Sequence, residues 1–207
     1  DIIEEMNRQF DDAIITTDVG QHMMLVSQYA EITEKKQLVM SGGLGTMGYG
    51  FPAAIGAQIG NPEKRVIAVS GDGGMQMNIQ EFATAVLEET PVIACVFNNT
   101  YLGMVRQWQK LFYGKRYGMT NLRAGALSRR TDGAEFPEYT PDFVKLAESY
   151  GAKGIRVTKT EEISAAFEEA KKNTKTPTLI EFIIDPEEMV YPMIKPGGTL
   201  EDMIMDC

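Results

Sequence analysis

The sequence predicts an α/β domain of the doubly wound type, with a mainly parallel six-stranded sheet and helices on both faces. Short β-branched runs alternate with longer stretches of helical period along the chain, the pattern of strands buried on both faces and joined by helices. Glycines follow four of the strand candidates, and in open parallel sheets ligands sit where strands end and helices begin. The 207 residues are 43% hydrophobic and 24% charged, enough apolar material for one packed core.

In chain order, residues 2–10 place apolar side chains three or four apart and predict a helix. Residues 13–17 are the first strand, ended by Asp18-Val19-Gly20, and 22–30 the helix after it. Residues 37–40 are the second strand, ended by Ser41-Gly42-Gly43-Leu44-Gly45, with a helix at 50–59. The third and fourth strands, 66–70 and 92–97, end in Gly71-Asp72-Gly73-Gly74 and Asn98-Asn99-Thr100-Tyr101-Leu102-Gly103, with helices at 79–88 and 104–112. A helix at 141–150, a strand at 154–157, a helix at 161–173 and a strand at 178–184 complete the pattern. Residues 117–139 and the proline-bearing stretch after 185 break it and read as loops over the body of the domain. The expected organisation is a domain over 1–185 and a tail, 186–207, packing over it or over further domains. The chain opens at Asp1, already inside a predicted helix, and reads as a piece of a longer protein.

Charge and cysteines narrow the function classes. Twenty Lys and Arg against 29 Asp and Glu leave a net charge of -9, which repels nucleic acid and anionic membrane surfaces. An anionic ligand must therefore be held by local devices. The two cysteines, Cys95 in an apolar run and Cys207 at the end, suit a reducing compartment, with Cys95 as core filler and no metal cluster. No stretch reaches the length of a membrane span and no signal segment opens the chain, so the expected location is the cytoplasm.

Two motifs carry chemistry. Gly43-Leu44-Gly45-Thr46-Met47-Gly48 satisfies G-x-G-x-x-G after a strand, which imitates a dinucleotide fingerprint or merely permits close helix–strand packing. A nicotinamide site would normally use the first strand-to-helix turn instead. Gly71-Asp72-Gly73-Gly74 can turn amides toward a phosphate while its carboxylate holds a divalent cation. The next predicted strand is followed by Asn98-Asn99, and an amide oxygen is a neutral ligand suited to Mg²⁺ beside a diphosphate. Asp72 and Asn99 are one strand–helix–strand unit apart, so both would face one ion.

This G-D-G followed by N-N is the signature of thiamine diphosphate enzymes. Together with Thr17-Asp18-Val19-Gly20-Gln21-His22, the 41–50 glycine loop, Val105-Arg106-Gln107-Trp108-Gln109 and Val190-Tyr191-Pro192-Met193-Ile194, it resembles the C-terminal, diphosphate-binding domain of acetolactate synthase large subunits. The resemblance implies Asp72 and Asn99 as side-chain ligands of Mg²⁺, with the main-chain carbonyl of Tyr101 as a third. It implies Gly20, Gln21, His22, Gly71, Gly73 and Gly74 at the diphosphate, with His22, the sole histidine, as an anion donor rather than a general base. Met47 would prop the bent cofactor, the Gly45 carbonyl would accept from its aminopyrimidine, and Leu102, Gly103 and Met104 would complete its contacts. Trp108 would favour 2-ketobutyrate over pyruvate as second substrate. For Met47 and Trp108 a core role is the alternative, and for Arg129-Arg130 the choice is between steering a keto acid carboxylate and a solvated loop pair.

The implied reaction decarboxylates pyruvate and condenses the product with a second 2-keto acid, with the chemistry residing in the cofactor. The family's activating glutamate lies in an N-terminal domain of the other subunit of a dimer. No residue here matches it, so no catalytic residue is expected in this chain and the chain alone is expected to be inactive. FAD, carried by a middle domain in biosynthetic members, would not be bound by this domain alone. A homodimer or tetramer and a regulatory small subunit are implied for the whole protein. Residues 122–139 are longer than the family's usual link, and Gly74 stands where many biosynthetic members carry Ser. Other thiamine diphosphate decarboxylases and carboligases, a half-site binding module and a nicotinamide-binding domain are the competing readings.

Overall fold

The computed structural model describes residues 1–122 and 141–205. Six strands, β1 (Ile14–Thr17), β2 (Gln37–Met40), β3 (Val66–Gly71), β4 (Ile93–Asn98), β5 (Lys153–Val157) and β6 (Thr178–Ile183), form one sheet in the order β2-β1-β3-β4-β6-β5. Every pairing within it is parallel, so the sheet is all-parallel rather than mainly so. All six carboxyl ends therefore lie along one edge. The order reverses between β1 and β3, since the chain leaves β1 for β2 and returns to its other side. A ligand crevice in such sheets opens at that point.

Residues two apart in a strand face the same way, and the sheet's two faces are accordingly buried against two helix layers. Ile15, Ile67, Cys95 and Ile180 pack with α1 (Ile2–Gln9), α2 (Gln21–Tyr29) and α8 (Ile163–Lys172). Ile14, Ala68, Ala94 and Leu179 pack with α3 (Gly50–Gly60), α5 (Glu81–Leu87) and α7 (Phe143–Ser149). Cys95 is core, with 1% of its surface exposed.

Element boundaries differ from expectation by one or two residues at most ends. Two features depart from it altogether. Asp72–Met75 is a short helix, α4, rather than an open glycine turn, and its glycines let it pass close to its neighbours, since a β-carbon on Gly74 would collide with the Asp18 carboxylate and one on Gly73 with Leu102. The stretch after β6 contains a two-stranded antiparallel ribbon, β7 (Met193–Ile194) with β8 (Met203–Ile204). Helix α6 (Gly103–Phe112) runs as expected. Arg129, Arg130 and Cys207 lie outside the described residues. Among those described, no helix is long and apolar enough to cross a membrane.

Phe82 of α5 is fully buried, its ring 4.4 Å from that of Phe51 on α3. Phe82→Ala is expected to lower unfolding stability in urea by about 3–5 kcal/mol. Leu87→Ala on the same helix, where the side chain is 81% exposed, should change it by less than about 0.5 kcal/mol.

Candidate functional site

The carboxyl ends of β1, β3, β4 and β6 surround a cleft of about 180 Å³. Gly20, Gln21 and His22 line it from the end of β1, and Gly71, Asp72, Gly73 and Gly74 from β3 and α4. Asn99, Tyr101, Leu102, Gly103 and Met104 line it from the end of β4, and Met47 reaches it from the loop after β2. Segments widely separated in sequence are thus brought to one place by strand order alone.

Asp18, to which the sequence alone assigns no role, organises this edge. Its side chain is fully buried; one carboxylate oxygen lies 2.5 Å from Nε2 of His22 and the other accepts the Gly48 amide at 2.8 Å. The imidazole is thereby turned so that its Nδ1 edge lies against the backbone of Gly20 and Gly71. A β-carbon on Gly20 would come within 2.9 Å of Nδ1, and one on Gly71 within 3.1 Å. Gly20 also holds φ +143°, a conformation that favours glycine. A carboxylate four residues before the only histidine, at a strand end, is the available signal. The same contact fastens the Gly43–Gly48 loop to the end of β1. Helix α2 starts at Gln21 without a side-chain cap, and the amides of such a helix start are suited to an anion.

Asp72 is 4% exposed. One of its oxygens accepts the Gly73 amide at 2.8 Å, while Oδ2 is buried with no hydrogen-bond partner among the described residues. Burial pushes its carboxyl up to about 7; neighbouring backbone amides oppose this and the negative charge of Glu181 adds to it. Asn99, also buried, accepts the Tyr101 amide at 3.0 Å and has its Nδ2 3.4 Å from Gln21 Oε1. One carboxylate with an unused oxygen, beside a neutral amide oxygen and loop carbonyls, is a donor set that fits Mg²⁺. No group of three or more His, Cys, Asp or Glu suited to a metal occurs among the described residues.

Two expected residues fall elsewhere. Gly45 (φ +61°) lies beside Val19 and does not line the cleft. Trp108 is neither in the cleft nor in the core: it is 37% exposed, edge-on to Phe112 at 5.5 Å, in a separate hollow on α6. Met104 and Val105 line both that hollow and the cleft, so α6 joins the two. The chain after β6 closes the remaining side. Gln107 of α6 accepts the Val190 amide at 3.0 Å and donates to its carbonyl at 2.8 Å, and the same Gln107 oxygen accepts from Gln21 at 2.8 Å. Glu188 and Val190 line the cleft as a result.

The profile of the family described as "Thiamine pyrophosphate enzyme, C-terminal TPP binding domain" matches residues 18–182. The chain belongs to the thiamine pyrophosphate enzymes. It carries their C-terminal domain, whose cofactor, thiamine pyrophosphate, is the thiamine diphosphate of the resemblance noted above. The chain is 42% identical over 204 residues to a protein of Methanocaldococcus jannaschii named "Probable acetolactate synthase large subunit", covering 99% of this chain and 32% of that protein. It is 42% identical to the "Acetolactate synthase large subunit" of Corynebacterium glutamicum (98% of this chain, 31% of that one). It is 40% identical to the "Acetolactate synthase isozyme 3 large subunit" of Escherichia coli (93% and 31%). The chain thus spans about a third of the length of the curated relatives it matches.

In metal-free buffer, the raised Asp72 carboxyl makes the folded state hold its proton more tightly than the unfolded state, whose value is near 3.8. This contribution to stability is present below about pH 4 and is lost as pH rises through about 7. Urea unfolding at intervals from pH 5 to 8 should show a fall of about 1–3 kcal/mol that Asp72→Asn removes.

Proposed function

We propose that the chain is the diphosphate- and Mg²⁺-binding domain of a thiamine diphosphate-dependent acetolactate synthase, acting on pyruvate and a second 2-keto acid in branched-chain amino acid biosynthesis. The observation that carries this reading is the identity of 40% or more, along nearly all of the chain, to proteins named as acetolactate synthase large subunits. The buried, unsatisfied Asp72 oxygen beside Asn99 supports the cation.

On this reading Asp72 and Asn99 hold Mg²⁺ through side-chain oxygens and Tyr101 through its main-chain carbonyl. The Gly20–His22 turn, Gly71, Gly73 and Gly74 take the diphosphate, with His22 oriented by Asp18. Met47, next to Gly73 in the cleft, supports the aminopyrimidine end, which the Gly45 carbonyl borders from outside the cleft lining. Leu102, Gly103 and Met104 close the cleft on the α6 side. When bound, thiamine diphosphate would supply a nucleophilic carbon and an electron sink for the decarboxylation of a 2-keto acid. Residues of this chain bind and orient; the glutamate that activates the cofactor belongs to a different domain of the whole protein. That whole protein is a cytoplasmic homodimer or tetramer, with FAD held outside this domain and room for a regulatory small subunit.

Calorimetric titration of the 207-residue chain with thiamine diphosphate should give heat that depends on Mg²⁺, with none for NAD. Asp72→Ala should lose the metal dependence, and the chain alone should form no acetolactate from pyruvate. Parent-like binding by the variant would remove Asp72 from the metal site, and turnover by the chain alone would contradict the assignment of activation to another domain.

Trp108, in a hollow separated from the cleft by Met104 and Val105, which line both, is assigned to the choice of second substrate. One methyl in an apolar pocket is worth about 1–3 kcal/mol. In the full-length enzyme, Trp108→Leu should reduce the preference for 2-ketobutyrate over pyruvate by roughly 10-fold or more. Competition between the two acceptors, with both products quantified, measures it.

A further inference from the structure

The first of the paired asparagines does not line the cleft, yet it is tied into the interior more tightly than the second. Asn98, the last residue of β4, is 3% exposed; its Nδ2 donates to Oε1 of Glu181 at 2.6 Å and its Oδ1 accepts the Thr100 amide at 3.0 Å. Glu181 of β6 is fully buried, and its second oxygen accepts Nε of Arg156 at 2.7 Å. Arg156 also donates to Asp142 at 2.7 Å, the residue that caps α7.

The chemistry of this chain of contacts is directional. An ionised carboxylate only accepts, so Glu181 forces the NH₂ of Asn98 toward itself and leaves the carbonyl oxygen for Thr100. Thr100 needs such a hold, because it is β-branched and sits at φ +63°, a region such residues adopt only when their surroundings impose it. The turn it makes carries Asn99 on one side and Tyr101 on the other, with the Tyr101 amide donating to the Asn99 side chain at 3.0 Å.

We propose that Glu181 is a positioning residue for the cation, fixing through Asn98 the turn that presents Asn99 and Tyr101 to it. This rests on the reading of Asp72, Asn99 and Tyr101 as the ligands of Mg²⁺. A buried ion pair whose only role is to hold β5 to β6 would affect stability and leave the affinity of the folded chain unchanged. The hydrogen-bond directions supply a sharper test. Glu181→Gln gives Asn98 and Arg156 one acceptor to share where they had two. Combining it with Asn98→Asp restores an acceptor for every donor at unchanged total charge. In that double variant the carboxylate introduced on β4 accepts both the Thr100 amide and the NH₂ introduced on β6, while the amide oxygen on β6 accepts from Arg156.

The experiment titrates Mg²⁺ into the chain at saturating thiamine diphosphate by calorimetry, and measures hydrogen exchange of the Thr100 amide by NMR without metal. Glu181→Gln should weaken Mg²⁺ binding by about 10- to 100-fold and speed Thr100 exchange. Asn98→Ala, which leaves the Arg156–Glu181 pair intact, should do the same, and it decides the matter if Glu181→Gln does not fold. The double variant should return to within about threefold of the parent. Parent-like Mg²⁺ affinity in the folded single variants overturns the proposal, as does faster Thr100 exchange with unchanged affinity or failure of the double variant to recover. A parent that binds without regard to Mg²⁺ instead refutes the ligand reading, and the proposal falls with it.

Discussion

One buried carboxylate sets the geometry of the ligand edge. Asp18 stands where β1 gives way to α2 and reaches outward in two directions, to the His22 ring and to the Gly48 amide. Burying a carboxylate is costly unless its oxygens are satisfied. Meeting that requirement fastens the loop after β2 and the start of α2 to the same point. The glycines around it follow from the same constraint: at Gly20 and Gly71 the backbone must pass close to an imidazole whose position is already decided. The parallel sheet contributes by placing every carboxyl end on one side, so that one fastening serves several loops.

Much of this is readable from the chain, because the fold is written in patterns that survive without tertiary context. Alternation of β-branched runs with helical periods is enough to place all six strands to within a residue or two. Residues of the cleft edge are legible because G-D-G and N-N stand at a spacing set by one strand–helix–strand unit. What escapes has a common physical character. Asp18 and Gln107 are polar residues whose role depends on being buried, and burial is a property of the assembled sheet rather than of neighbours in sequence. The short α4 is hidden by its glycines, which local propensity assigns to turns, and the β7–β8 ribbon by the prolines around it. Trp108 is ambiguous for a related reason, since an aromatic at helical spacing suits a core or a site equally well until α6 is seen to present it outward.

Charge and site also have to be considered at different scales. A chain of net charge -9 presents an unfavourable long-range field to an anion, whereas within the cleft the relevant groups are amides at the start of α2 and the glycine backbone at β3. Such fixed dipoles act over a few ångströms and are little affected by the distant surface. Asp72 adds a carboxylate to that neighbourhood, and its unpartnered oxygen is a local cost.

The amide of Gln107 grips residue 190 by its main chain, through both N–H and C=O. Since every residue except proline offers these two groups, the grip is indifferent to which side chain stands there. Position 190 is held twice over, its main chain by Gln107 and its side chain, 1% exposed, by packing behind the cleft wall. Attachment and shape are thus set by different groups at this point: the backbone is anchored by one amide, while the contour of the wall is fixed by how the side chain packs.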